Sequence, residues 1–275
     1  MVKICLALLV AVLCAGCSTA RLAYDHADIY LKWKASSYVA LDEADAVELG
    51  REIDEFLAWH RSRALPQYAA IADEAARRFS QGLSRQDLVW GYDAAMAQAR
   101  ESVRAAAERI APLLDRLTSA QVAYLERRFA EDNRSFARKY LRGGESERRQ
   151  RRVERNVERL EEWVGELSSG QAERVARYSE RAPLLEDLRD RDRKRLQAEF
   201  LALVRTHTAR QRLPDAAAHW DRGRDPAYAA AYEAAREEYF AMVLDIERSL
   251  TPEQRSRVAR NIARWAEDFR TLARR

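Results

Sequence analysis

Apolar residues recur every three or four positions along most of the chain, which is the spacing of one face of an α-helix. The longest such stripe runs from Leu88 to Leu113, and further stripes begin at Val122, Val153, Tyr232 and Val258. Large side chains in such stripes usually form the core, and each contributes roughly 1.5–3 kcal/mol when buried. No run of four to eight residues alternates as a half-buried strand does. The pattern predicts an all-α fold, a multi-helix bundle of about nine helices.

Glycine and proline residues interrupt the stripes and divide the chain. The one long irregular stretch, residues 211–226, contains His219, Trp220 and three aspartates. It predicts a connection between two helical parts, residues 17–210 and residues 227–275. We expect the second part to be a helical hairpin packed on the same body as the first.

Helix starts share a short pattern, a leucine followed by Thr or Ser and, three residues later, Gln. It occurs as LTPEQ at 250–254, LTSAQ at 117–121 and LSSGQ at 167–171, with looser relatives at 83–87 and 41–45. The hydroxyl can accept a bond from a first-turn amide, and the glutamine can accept one from the backbone of the capping residue. Each cap contributes about 1 kcal/mol. The pattern predicts capping boxes at these helix starts.

The first residues predict export from the cytoplasm. Lys3 precedes an apolar run at 4–14, and small residues follow before Cys17. This is typical of a secretory signal peptide, here residues 1–16, and the run is too short to span a bilayer. The Ala-Gly-Cys ending resembles a bacterial lipobox, although Cys14 stands where leucine is usual. That resemblance implies lipidation of Cys17 and, with Ser18 next, an address at the periplasmic face of the outer membrane.

The predicted lipid lies close to the first helices. Only residues 18–21 separate Cys17 from Leu22, and four extended residues reach about 14 Å. We therefore expect the helix that carries Ile29, Tyr30 and Trp33 to lie near the membrane. The other two cysteines belong to the signal peptide, so we expect no disulfide, thiolate metal site or cysteine nucleophile in the mature chain.

Charge excludes a nucleic-acid partner. The chain has 48 basic and 44 acidic residues and a net charge of +4. The two signs alternate, as in residues 145–162 with six arginines and six glutamates. Nucleic-acid-binding proteins instead gather one sign on one face. Mixed charges at helical spacing are typical of a solvated helix surface.

The candidate chemistry lies at Trp59, His60 and Arg61. His60 continues an apolar stripe and so faces inward near an expected helix end. It is either a general base or ligand near Asp54 or Glu55, or a structural histidine bonded to a backbone carbonyl, where the helix end favours its cationic form. No second histidine stands at metal spacing, and no phosphate loop or nucleophile elbow occurs. We expect no metal, no cofactor and no catalysis.

Most of residues 17–180, and above all the first third of the mature chain, resembles a family of Gram-negative outer-membrane lipoproteins with no assigned function. The shared positions are Cys17, Tyr24, Trp33, Tyr38, Leu41, Trp59, His60, Arg61, Leu65, Pro66 and Tyr68, then Asn133, Phe136, Tyr140, Trp163, Gly165, Leu167 and Gln171. Asp45 stands where the family usually has glutamine. The resemblance implies a fold and an address and brings no activity. The candidate interaction residues are Trp59, His60, Arg61, Pro66 and Tyr68.

The LTxxQ pattern also resembles the Spy-type periplasmic chaperones, small cradle-shaped dimers that carry it at helix starts. Three hypotheses follow for function. The first is a lipid-anchored envelope module that acts by binding a protein partner near the membrane. The second is a Spy-like chaperone, and the third is an envelope hydrolase centred on His60.

Overall fold

The computed structural model describes residues 17–275, and their side chains from residue 21. The predicted signal peptide, residues 1–16, lies outside the described residues. Within them the chain is helical and contains no strand, so the predicted all-α bundle is confirmed. The helices are α1 (Cys17–Asp25), α2 (Ala27–Ser36), α3 (Glu43–Trp59), α4 (Leu65–Ser80), α5 (Arg85–Leu114), α6 (Ser119–Phe136), α7 (Glu145–Val164), α8 (Ser169–Arg181), α9 (Glu186–Arg205), α10 (Ala209–Ala218), α11 (Pro226–Arg248) and α12 (Pro252–Ala273).

Helix α10 occupies the first half of the stretch that we expected to be irregular. Its first two amides donate to the carboxylate of Asp115, from Ala209 N at 2.6 Å and from Arg210 N at 3.0 Å. An acidic group from the end of α5 therefore caps the start of α10, and this cap comes from a residue distant in sequence. Only residues 219–225 between α10 and α11 are turns and irregular backbone.

The long helix α5 joins two hydrophobic cores. Its alanine stripe packs closely on α10, and Ala107 and Ala111 there are fully buried. This first core continues into α6 and α9. Near the end of α5, Leu113 belongs to a second core made with α1, α2, α3, α4 and α12, whereas Leu114 belongs to the first. A third, smaller core lies between α8 and α11 around Val175.

The last two helices differ from the expected hairpin. Helix α12 packs most extensively along α4, whereas α11 packs on α8, α5 and α9. The reason lies in their buried faces. Trp265 and Leu272 of α12 are buried, and Leu272 belongs to the second core. Met242 and Ile246 of α11 are buried in the third core. Each helix therefore has its main partners elsewhere in the body.

The predicted caps are present at all five helix starts. Asp42 accepts a bond from the amide of Asp45 at 2.9 Å without a return bond, and the Asp45 side chain instead accepts from Arg116. The other four are complete capping boxes, at Ser84, Thr118, Ser168 and Thr251. The sequence pattern thus predicted real local structure.

The glutamines of two of these capping boxes also form hydrogen bonds with each other. The side-chain amides of Gln171 and Gln254 exchange hydrogen bonds, with nitrogen-to-oxygen distances of 3.0 and 3.1 Å. Gln254 Nε2 further donates to the Glu166 carbonyl at 2.9 Å, and Gln171 Nε2 donates to the Ser249 carbonyl at 3.1 Å. The pair joins the starts of α8 and α12, so these glutamines have a tertiary role beyond the local cap.

Candidate functional site

His60 lies in a π-helical turn rather than at a helix end. The chain passes from α3 through this turn, His60–Ala64, directly into α4. The Leu65 amide donates to the His60 carbonyl five residues back. Pro66 follows, and a proline cannot donate to the ladder and crowds the carbonyl four residues before it. A widened turn accommodates Pro66 without ending the helical path, which corrects the helix end expected near His60.

The His60 ring is enclosed by aromatic side chains. The Tyr24 hydroxyl lies 2.8 Å from His60 Nδ1, and the two rings stack with centroids 5.7 Å apart. Phe56 and Tyr68 contact the same imidazole, at 5.7 and 5.5 Å between centroids. We call these four residues, together with Trp59, the aromatic cluster.

This environment keeps His60 neutral. Burial, with a smaller effect of the Arg61 charge, lowers the pKa of His60 to about 4. Burial also raises the pKa of Tyr24, so the Tyr24 hydroxyl keeps its proton and shares a hydrogen bond with Nδ1 of the neutral ring. His60 therefore bonds Tyr24 instead of the expected backbone carbonyl, because the helix does not end here. The ring is neutral instead of cationic, because it is buried beside Arg61.

The cluster and its contacts join five helices, α1, α3, α4, α5 and α12. The Tyr68 hydroxyl and Ser102 Oγ of α5 lie 2.9 Å apart, and the Tyr68 ring contacts Phe269 of α12 at 5.6 Å. Arg61 completes the arrangement, with its guanidinium carbon 5.6 Å from the centre of the Tyr24 ring. Of the candidate interaction residues, the structure thus brings together Trp59, His60, Arg61 and Tyr68, whereas Pro66 is exposed.

Neither candidate acidic partner of His60 is directed to it. Asp54 pairs with Lys32 at 2.7 Å, and Glu55 pairs with Arg109 at 2.6 Å. No group of three or more His, Cys, Asp or Glu side chains among the described residues could hold a metal ion. The geometry of His60 therefore suits a structural hydrogen bond. Sequence reasoning did not identify its partner, Tyr24, although the family pattern contained that residue.

An apolar cavity adjoins the aromatic cluster at Phe56. It has a volume of about 160 Å³ and lies between the first and second cores, beneath α2 and the α2–α3 connection. Its lining is mainly aliphatic and aromatic, with Lys34, Glu52 and Arg109 as the charged residues. We call it the α2 cavity.

Four large apolar side chains of α1 and α2 are exposed. The exposed fractions are 57% for Leu22, 62% for Ile29, 45% for Tyr30 and 64% for Trp33. Ile29, Tyr30 and Trp33 share one face of α2 by their spacing, and the last two rings are in contact. We call these four residues the N-terminal patch.

Ion pairs attach α1, which carries Leu22 of the N-terminal patch, to the C-terminal part of the chain. Arg21 forms an ion pair with the buried Asp268 of α12 at 3.0 Å, and Arg275 binds Asp25. Helix α1 begins at Cys17, so residues 18–21 are helical rather than extended. At 1.5 Å per residue they advance only about 6 Å, less than half the expected reach. No helix among residues 17–275 is long and apolar enough to cross a membrane.

Comparison with known proteins gives one match. The model of a family of unknown function (DUF6279) matches residues 37–219. The match includes most of the aromatic cluster and most of the α2 cavity, whereas Cys17, Tyr24 and the N-terminal patch precede it. No curated protein and no solved structure matches the chain.

Proposed function

The chain belongs to the DUF6279 family of unknown function, and from that premise we propose that it is a lipid-anchored envelope module that acts by binding rather than by catalysis. Lipid on Cys17 holds it at the periplasmic face of the outer membrane. Helices α1 and α2 lie against the lipid surface, and the rest of the helical body meets an envelope protein there. The N-terminal patch is the observation that carries this proposal.

The composition and position of the patch support membrane contact. Trp and Tyr favour the boundary between lipid and water, because one end of each side chain is apolar and the other is polar. All four patch residues fall within residues 22–33, directly after Cys17. Among the remaining described residues only Val47 and Tyr239 are large, apolar and comparably exposed. A lipid anchor is stable when a second element adds to it, and an apolar helix face is such an element.

Two further observations support binding over the alternatives. His60 is neutral and its contacts are aromatic, which suits a positioning role. The glutamines of the LTPEQ and LSSGQ segments are bonded to each other and to backbone carbonyls. These glutamines serve the fold, so the LTxxQ resemblance adds no separate support for a chaperone.

A single-cysteine probe tests the membrane contact. The mature chain, purified from a Gram-negative host after signal removal and lipidation of Cys17, carries Ile29→Cys as its one free thiol. It is labelled with an environment-sensitive fluorophore and placed in vesicles of phosphatidylethanolamine and phosphatidylglycerol. We expect a blue-shifted emission that a lipid-soluble nitroxide quenches. The matched control is Ala97→Cys, an exposed position on α5, where we expect water-like emission and little quenching. Water-like emission at both positions would contradict the proposal.

A further inference from the structure

The size and lining of the α2 cavity suit a hydrocarbon chain. A comparable cavity of about 150 Å³, lined by Leu, Ile and Phe, stays dry and binds an aromatic ring of six carbons. At about 160 Å³, the α2 cavity has room for a segment of about six to eight carbons by the same measure. Its lining includes Leu125, Phe129 and Phe200 from α6 and α9, and we call these three residues the deep wall.

Water is a poor occupant of this space. An ordered water needs two to four polar partners. Tyr38 is the one uncharged polar side chain in the lining, and its hydroxyl already donates to Asp132 of α6. The partial exposure of Phe56, Ile110 and Phe129 is that of apolar side chains that line an open space. An apolar occupant would cover them.

The charges of the lining favour an anion on the occupant. Arg109 is compensated by Glu55 at 2.6 Å and Glu52 at 3.7 Å. Lys34 is different, because no described carboxylate lies within 4.0 Å of its amine. The Lys34 amine instead lies 4.9 Å from the centre of the Tyr38 ring and 6.0 Å from that of Trp33. The lining therefore contains one positive charge without an acidic partner.

From these observations we propose that the α2 cavity binds one hydrocarbon chain of an anionic amphiphile, with its carboxylate or phosphate against Lys34. The hydrocarbon enters between the two cores and the anionic head stays at the α2 side. The source of the chain is either a free fatty acid or a membrane lipid, which share this chemistry. The site lies wholly within the described residues, and binding at it does not depend on lipidation of Cys17.

Photo-crosslinking tests the site directly. The full chain in vesicles receives dodecanoate with a diazirine at the end of its chain, and the adducts are mapped by peptide mass spectrometry. We expect adducts on residues of the deep wall, Leu125, Phe129 or Phe200, and competition by unlabelled dodecanoate. Adducts confined to the outer faces of α1 and α2 would overturn the proposal. A second arm with the same diazirine on a phospholipid chain shows which source reaches the deep wall.

Filling the cavity provides the first variant. Ala106 lines the cavity, so Ala106→Phe should reduce deep-wall labelling by about ten-fold or more, and the smaller Ala106→Leu should reduce it less. The matched control on the same helix is Ala97→Phe, at an exposed position, which should label as the parent does. Unchanged labelling of a folded Ala106→Phe protein would contradict the proposal.

The charge provides a second variant that leaves the packing intact. Lys34→Gln should weaken competition by dodecanoate about five-fold, the upper range for one exposed charge pair, and leave competition by dodecanol unchanged. The control on the same helix is Lys32→Gln, whose amine is paired with Asp54. Equal effects of the two substitutions would remove the assigned role of Lys34.

Discussion

At the scale of single residues, the environment of His60 decides its chemistry. The ring is surrounded by aromatic side chains, and the nearest charge, Arg61, has the same sign as a protonated imidazole. Both effects disfavour the cation. The neutral ring and the Tyr24 hydroxyl then share a hydrogen bond, with 2.8 Å between Nδ1 and the hydroxyl oxygen. The two residues satisfy each other, and together they fasten α1 to the turn between α3 and α4.

This pair predicts a pH dependence of stability. The pKa of His60 is lowered to about 4 in the folded protein, whereas an unfolded histidine has a pKa near 6.5. Between these values the unfolded state binds more protons, so the stabilisation is complete above pH 6.5 and is lost as the pH falls toward 4. We expect a loss of up to about 3 kcal/mol.

Urea unfolding at pH 7 and pH 4.5 measures that loss. His60→Gln removes the titrating group, so the fall in free energy of unfolding between the two pH values should be smaller in the variant by most of that amount. Carboxylates titrate equally in both proteins and cancel in the comparison. An identical pH dependence in the two proteins would show that His60 is not held neutral.

Sequence reasoning reached only part of this site. The apolar stripe placed His60 on the inward face, because a side chain's direction follows from helical spacing. The partner could not be derived in the same way, since Tyr24 is 36 positions away and its contact depends on how α1 packs. The π-helical turn was also missed, although Pro66 was the residue that could have indicated a disturbed ladder.

At the scale of elements, the capping boxes serve two purposes. Locally, Thr251 and Gln254 satisfy amides of the first turn of α12, as Ser168 and Gln171 do for α8. The local caps use the side-chain oxygens of these glutamines, which leaves the side-chain NH₂ groups free to donate elsewhere. Each NH₂ group donates to the other glutamine. The local device was predictable because all its atoms lie within four residues. The contact between the two glutamines was not predictable, because it requires the two helix starts to be neighbours in space.

One substitution separates the two purposes. Gln254→Glu keeps an oxygen for the Thr251 amide and adds a favourable negative charge at the helix start. It removes the donor to Gln171 and to the Glu166 carbonyl. We expect a net loss of about 1–3 kcal/mol in the free energy of unfolding, because the side-chain oxygen of the buried Gln171 loses a donor.

Urea unfolding of a double-mutant cycle measures the contact between the two glutamines. With Gln171→Ala as the second substitution, the coupling should be about 0.5–3 kcal/mol. Thr251→Ser, which keeps the capping oxygen, serves as the control and should leave stability nearly unchanged. If the two glutamine substitutions had additive effects on the free energy of unfolding, these residues would contribute only through their local caps.

At the scale of the whole molecule, α5 organises the protein around two cores. Its alanine stripe faces α10, and its end divides between both cores. The α2 cavity lies where these cores do not quite meet, and α2 covers it with Leu31 and Ala35 inside and Trp33 outside. Helical periodicity predicted the all-α class, because that signal is repeated along the whole chain. It did not predict the partners of α11 and α12, because a stripe shows that a face is buried without showing against which helix.

The cavity and the N-terminal patch meet at the same helix. If α1 and α2 lie on lipid, the covering helix of the cavity is also the part of the protein nearest the membrane. This places the predicted anchor at Cys17, the patch and the cavity in one region, and it makes the anchor the central claim. The residues before Cys17 belong to the predicted signal peptide in this account.

The mass of the N-terminal tryptic peptide tests that claim most directly. The full chain is produced in a Gram-negative host, recovered from the membrane fraction and digested, and cleavage after Arg21 gives a peptide of residues 17–21. The account predicts that this peptide begins at Cys17 and carries a diacylglyceryl group on its sulfur and an acyl chain on its amine. A peptide that extends before residue 17, or a Cys17 with an unmodified thiol, would contradict it.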